Sequence, residues 1–95
     1  IELNSKNYEI SLKYFKEAIK INSDDPRIYN NLGILNFKIG KTDNAINYFK
    51  KAIEIDKGLI DSYQNLARIK LEQNNYQEAE IYFKKVLEID WKKSW

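Results

Sequence analysis

The sequence predicts an all-α protein built as a stack of antiparallel helix-turn-helix units. The chain largely repeats itself at a step of 34 residues. Tyr29 meets Tyr63, Leu32 meets Leu66, Ala45 meets Ala79, and Tyr48, Phe49 and Ile55 meet Tyr82, Phe83 and Ile89. The same step backwards sets Tyr48, Phe49, Ala52 and Ile55 on Tyr14, Phe15, Ala18 and Ile21. A fixed period of this length marks units that bury their apolar faces against their neighbours. Within each copy apolar residues recur at intervals of three and four, the spacing of one helix face. No alternating strand pattern occurs, and expected loops of two to four residues force consecutive helices to run antiparallel.

Ile1 and Leu3 match Leu35 and Phe37, so the chain is expected to open in the last turn of a helix, followed by a turn at Lys6 and Asn7. The next helix, from Tyr8 to Ile21, carries Tyr8, Leu12, Phe15 and Ile19 on one stripe with Ala18 beside them. It is the second helix of an incomplete unit, residues 1–25. Asp25 suits an N-cap, and Pro26 suits the first helical position, where its missing N–H has no partner anyway. The helix from about Pro26 to Ile39 carries Tyr29, Leu32, Gly33 and Phe37. A mid-helix glycine costs about 1 kcal/mol against alanine, so Gly33 predicts close approach of a neighbour, with small Ala45 opposite and Ala67 in the matching place. Gly40 and Asn74 suit left-handed C-terminal caps. Thr42 and Asp43 lead into a helix with Ala45, Phe49, Ala52 and Ile53 inside, closing the unit 26–59.

The unit 60–93 repeats the scheme. Its helices run from Ile60 to Gln73, with Tyr63, Leu66, Ala67 and Leu71, and from Tyr76 to Ile89, with Ala79, Phe83, Val86 and Leu87. Residues 91–95 read as a tail or the start of a further unit. Trp91 is expected just past the last helix, folded back over the open end of the stack.

Composition narrows the function classes. Sixteen Lys and Arg against fourteen Asp and Glu give a net charge of +2, too weak and too interspersed to point to nucleic acid or an anionic membrane. The pairs Lys50-Lys51 and Lys84-Lys85 stand one turn from Glu54 and Glu88, as on a solvated helix face. There is no Cys and no His, which leaves no disulfide framework and removes the commonest general base and metal ligand. No cofactor is expected. No apolar run reaches the 18 or so residues of a membrane span, and no signal peptide is visible; a cytoplasmic location is the default. Because the chain opens at Ile1 and inside a unit, it reads as a piece of a longer protein.

Tyr29-x-x-Leu32-Gly33 with Ala45-x-x-x-Phe49, and Tyr63-x-x-Leu66-Ala67 with Ala79-x-x-x-Phe83, resemble the tetratricopeptide repeat (TPR) signature. The partial unit offers only Ser11-x-x-x-Phe15-x-x-Ala18. The resemblance covers essentially the whole chain and implies a right-handed α-solenoid. Two departures stand out. The family's usual aromatic is replaced by Asn36 and Lys70, where Phe37 and Leu71, one residue on, are expected to take over the packing. Its usual proline at the exit of the second helix is replaced by Ser23, Lys57 and Trp91.

The resemblance also implies that the first helices of successive units line a concave groove for an extended peptide or a partner helix. The side opposite Tyr29, Leu32 and Gly33 carries Arg27, Asn30, Asn31, Ile34 and Lys38; the third unit supplies Asp61, Gln64, Asn65, Arg68 and Glu72. Asn31 and Asn65 occupy the same place in successive units, and a carboxamide can pair with any peptide backbone as donor and acceptor. Arg27 and Arg68 could read a carboxylate. Some family members clamp the acidic tails of heat-shock chaperones with Lys, Asn and Arg. Only Asn31 matches that clamp, since Asp61 and Asn65 stand where Lys and Arg would be, so it is not expected here. The leading expectation is a non-catalytic scaffold with a protein or peptide partner. The alternatives are a self-assembly module, a homo-oligomer formed through exposed stack ends, and the substrate-docking arm of a larger enzyme such as a glycosyltransferase.

Overall fold

The computed structural model describes residues 5–93, with side chains described for residues 7–92. Five helices follow one another: α1 (Ser5–Ile21), α2 (Pro26–Lys38), α3 (Thr42–Ile55), α4 (Ile60–Glu72) and α5 (Tyr76–Lys93). No strand occurs among the described residues. Each helix packs on the next, and α2 also touches α4, so α2 and α4 form one layer and α3 and α5 pack behind them. The turn expected at Ile1 and Leu3 lies outside the described residues.

The helix ends follow local chemistry. Asp25 caps α2 by accepting the Arg27 N–H at 3.0 Å, and Pro26 takes the first helical position. The Arg27 guanidinium also donates to this carboxylate, and its hydrogen bond first, then the backbone bond, holds the Asp25 carboxyl below its ordinary range. Gly40 at φ 86° and Asn74 at φ 60° close α2 and α4. At both ends two backbone bonds fold the chain back, Lys41 N–H to Asn36 C=O and Gly40 N–H to Phe37 C=O, repeated by Asn75 to Lys70 and Asn74 to Leu71. This is the Schellman arrangement, which needs a left-handed residue just past the helix. Asn75 caps α5 through Glu78, accepting its N–H and donating to its carboxylate.

The turn expected at Lys6 and Asn7 is not formed; both residues belong to α1. Lys6 stands where Gly40 and Asn74 stand in the later units, and a lysine enters the left-handed region only at a cost of about 1–2 kcal/mol. The last helix also overruns its expected end at Ile89. The Asp56-Lys57-Gly58 segment that stops α3, with the Asp56 carboxylate accepting the Gly58 N–H, is replaced by Asp90-Trp91-Lys92, which offers no glycine. Trp91 therefore lies within α5, largely exposed, rather than folded over the end of the stack.

The core is densest around Ala45, Phe49, Leu66 and Ile69, with Ile34, Phe37, Ile46, Ile53 and Tyr82 packed against it. Phe49 is 1% exposed. Its ring, rather than Ala45, explains Gly33: a Cβ there would stand 2.5–2.8 Å from three ring atoms. The polar residues in the usual aromatic place also have partners. Asn36 is buried and donates its amide to the Leu32 carbonyl at 2.8 Å, within its own helix. Lys70, its side chain 15% exposed, reaches Glu78 at 2.9 Å and ties α4 to α5. Leu71 does not replace an aromatic there, since it faces out; the buried residue is Ile69, matched by Leu35 one unit earlier. Phe83 and Leu87, expected inside, are 40% and 67% exposed. They are the counterparts of Phe49 and Ile53, which α4 helps to cover, and nothing in the described structure stands in that position against α5.

Candidate functional site

The outer faces of α2 and α4 run side by side, with α1 beside α2 and α3 behind. Two cavities open on this surface. The first, about 250 Å³, lies between α1 and α2 and is lined by Asn7, Tyr8, Ser11, Phe15, Asn31, Ile34, Leu35 and Lys38. The second, about 400 Å³, lies between α2 and α4 over α3, lined by Ile34, Phe37, Lys38, Phe49, Asn65 and Arg68. Ile34 and Lys38 line both, so the cavities adjoin across the middle of α2.

Both cavities have apolar floors with polar groups at the edge. Asn31 is exposed at the first; Asn65 is half-buried at the second. The positions are equivalent along the repeat, yet the two amides differ in freedom. Asn65 Nδ2 donates to Asn30 Oδ1 at 3.2 Å, and the same oxygen accepts from Ser62 Oγ at 2.7 Å. Asn30 is thereby buried between α2 and α4. Its expected place in the groove is a correction: it faces the neighbouring unit, because α4 crosses α2 on the side where Asn30 emerges, one residue round the helix from Asn31.

The other expected groove residues divide. Ile34, Lys38 and Arg68 join Asn31 and Asn65 at the cavities. Arg27 is tied to the Asp25 carboxylate at the start of α2 and lines neither cavity. Asp61, Gln64 and Glu72 are exposed and also line neither. The sequence reading missed the α1 wall, Asn7, Tyr8 and Ser11. It assigned Phe15, Phe37 and Phe49 to packing alone, whereas all three also line the cavities. The 34-residue step carried the missing signal. Shifted forward, Phe15, Asn31 and Leu35 fall on Phe49, Asn65 and Ile69; the first two of these line the second cavity, and Ile34 and Phe37 pack on the Phe49–Ile69 cluster beside it. The two cavities therefore occupy corresponding places one unit apart.

Among the described residues no group of His, Cys, Asp and Glu side chains is placed to hold a metal ion, and no helix is long and apolar enough to cross a membrane. No buried side-chain polar atom lacks a partner among them.

A family model described as tetratricopeptide repeat matches residues 26–90, and a second, TPR repeat, matches residues 1–40. No curated protein sequence matches the chain. Among solved structures, MamA is similar over 92% of this chain and 51% of its own, with 31% identity and a TM-score of 0.87. A MamA chain from Desulfovibrio magneticus RS-1 is similar over 90% and 48%, with 24% identity and a TM-score of 0.82. The second TPR of Spaghetti, bound to the HSP90 peptide SRMEEVD, shares the fold over 87% and 77% at 19% identity, with a TM-score of 0.79. The chain thus spans about half the length of the MamA chains it matches.

Proposed function

This chain belongs to the tetratricopeptide repeat family, and from that premise we propose that it is a non-catalytic scaffold holding an extended peptide or a helix of a partner protein across α2. The observation that carries the reading is the pair of adjoining cavities sharing Ile34 and Lys38. Apolar floors take side chains, and the edge amide of Asn31 offers a donor and an acceptor to a peptide backbone. That a fold neighbour is bound to a peptide supports the same reading.

Random peptide display against the 95-residue chain tests it. Selected peptides should lose binding to Ile34→Glu and keep it to Lys50→Glu, which alters an exposed residue of α3 away from both cavities. Circular dichroism should show both variants folded, with Ile34→Glu the less stable because Ile34 also packs on the core cluster. Selected peptides that bind Ile34→Glu as tightly as the parent chain would overturn the groove assignment.

A second reading, self-association, is favoured by α5. Tyr76, Phe83, Leu87 and Trp91 recur on one side of this helix and are all 40% exposed or more, an apolar stripe of the kind that marks an interaction surface. Sedimentation from micromolar to millimolar concentration should show association that Leu87→Glu with Trp91→Glu abolishes. A strictly monomeric parent chain would exclude this reading.

A further inference from the structure

We propose that α5 joins two copies of this chain as a two-fold, antiparallel helix pair centred beside Leu87. This rests on the self-association reading above and names its partner surface and its orientation. Phe83, Leu87 and Trp91 follow one another at four-residue steps and are all exposed. They form an unbroken apolar strip about 12 Å long at 1.5 Å per residue. Lys84 and Glu88, one turn apart and both exposed, run along one edge of that strip. At 100° per residue they lie within about 40° of each other around the helix. A two-fold axis level with Val86 sets Lys84 of each chain against Glu88 of the other. Such a contact uses each residue pair twice, so one Lys and one Glu supply two ion pairs bracketing the two Leu87 side chains. A parallel copy would instead set Lys84 against Lys84 and Glu88 against Glu88, a repulsive element against that orientation. Within the single chain Lys84 reaches Glu80 at 3.0 Å and Lys92 reaches Glu88 at 3.4 Å; exposed pairs of this kind contribute little and exchange readily.

Strip and charges coincide on α5 alone among the described residues. Lys50 and Glu54 repeat the charge pair on α3, but there Phe49 is buried and Ile53 packs against the core cluster. Helix α1 exposes Ile10, Tyr14 and Ile21, yet Glu17 stands between the last two. Trp91 takes the place of Ser23 and Lys57, and it joins the strip because α5 continues past Ile89. The third unit thus adds an apolar residue to the one helix of its kind that no described helix covers from beyond. A strip this short gives an interface at the small end of known sizes, below about 1,200 Å², so a weak and reversible dimer is expected.

The chain has no Cys, so a single introduced one reports its own neighbour. Leu87→Cys should give a disulfide-linked dimer under air oxidation, because facing Cα atoms of helices packed about 8–10 Å apart come within disulfide reach. Trp91→Cys should not, since the two copies of that position lie about 15 Å apart along the paired helices. In sedimentation, Lys84→Glu should weaken the dimer roughly 5- to 30-fold by making both ion pairs repulsive. Lys84→Glu with Glu88→Lys should restore it, and raised salt should narrow the differences. The substituted side chains are all exposed, so circular dichroism of each variant should match the parent chain. A dimer that links through Trp91→Cys and not Leu87→Cys, or one indifferent to Lys84→Glu, would overturn this inference and leave self-association standing. A parent chain that stays monomeric would overturn both.

Discussion

At the residue scale, one atom's space decides more than a helix propensity. Replacing Gly33 by Ala should gain about 1 kcal/mol of helix propensity but drives a methyl into the Phe49 ring, and overpacking a core costs about 1–3 kcal/mol. The steric term wins because Phe49 is 1% exposed and held in the core cluster with Ala45, Leu66 and Ile69. Gly33→Ala is therefore expected to be less stable than the parent chain in urea unfolding, and Gly33→Ala with Phe49→Leu to recover part of the loss. A stabilised single variant would show that the ring can turn aside. Ala67 holds the matching place without conflict; its ring counterpart Phe83 lies at an open edge. Much of this was legible from residue identity: a glycine in mid-helix announced a close neighbour. Which neighbour was not, since choosing Phe49 over Ala45 depends on the rotation of α3 about its axis. The same limit misplaced Asn30. Asn30 and Asn31 are about 100° apart around one helix, and only the crossing of α4 over α2 decides which of them is buried.

At the element scale, the ends of helices were read well wherever a residue with unusual backbone freedom marked them. Gly40 and Asn74 both adopt positive φ, and no atom lies within 4 Å of the space a Cβ would take at Gly40. Substitution there is a test of conformation alone. Gly40→Ala should lower stability by about 1 kcal/mol, while Gly40→Asn, copying the third unit, should lose less than half of that in the same urea unfolding series. Equal losses would mean that the left-handed turn is not what Asn contributes. Element ends lacking such a marker were misjudged. The first helix already includes Lys6 and Asn7, and the last includes Asp90 to Lys92, because the stop signals of the middle unit have no counterparts there. Periodicity alone assigns a stripe to a helix; it does not say whether a neighbour covers that stripe. Phe83 and Leu87 repeat Phe49 and Ile53 in kind but remain exposed.

At the scale of the whole molecule, the stack is open. Its radius of gyration is 14.0 Å, against roughly 12 Å for a compact chain of this length. Stability therefore comes from interfaces between adjacent helices, and two of them bury tyrosines. Burial pushes the Tyr63 phenol above its ordinary range, with Asp56 adding to the shift; burial also raises Tyr82, against an opposing pull from Lys70. Tyr63 donates its hydroxyl to the Lys57 carbonyl at 3.1 Å, a bond only the neutral phenol can make. A raised folded-state pKa means that this stabilisation is complete below the unfolded value near 10.0 and is lost as pH rises through the folded one. Between pH 8 and 11.5 the parent chain should lose stability faster than Tyr63→Phe with Tyr82→Phe, as measured by urea midpoints. Parallel curves would remove the tyrosines from the account. The 34-residue period made this architecture legible at once. Ile34, Lys38 and Arg68 on the cavity surface were legible by helix position, whereas the α1 wall and the joining of two cavities depend on how three helices meet.

The bond between Asn30 and Ser62 has a consequence for assembly. Repeat chains can misfold by pairing the wrong copies, since similar units offer similar faces. One unit along, Asn30 becomes Gln64; one unit back, Ser62 becomes Ile28. A slipped pairing that set Asn30 against Ile28 would bury an amide against a hydrocarbon, at about 1–3 kcal/mol for each group left unsatisfied. In a chain of similar copies, the contacts of Asn30 with Ser62 and Asn65 are a feature by which the second unit differs from the third.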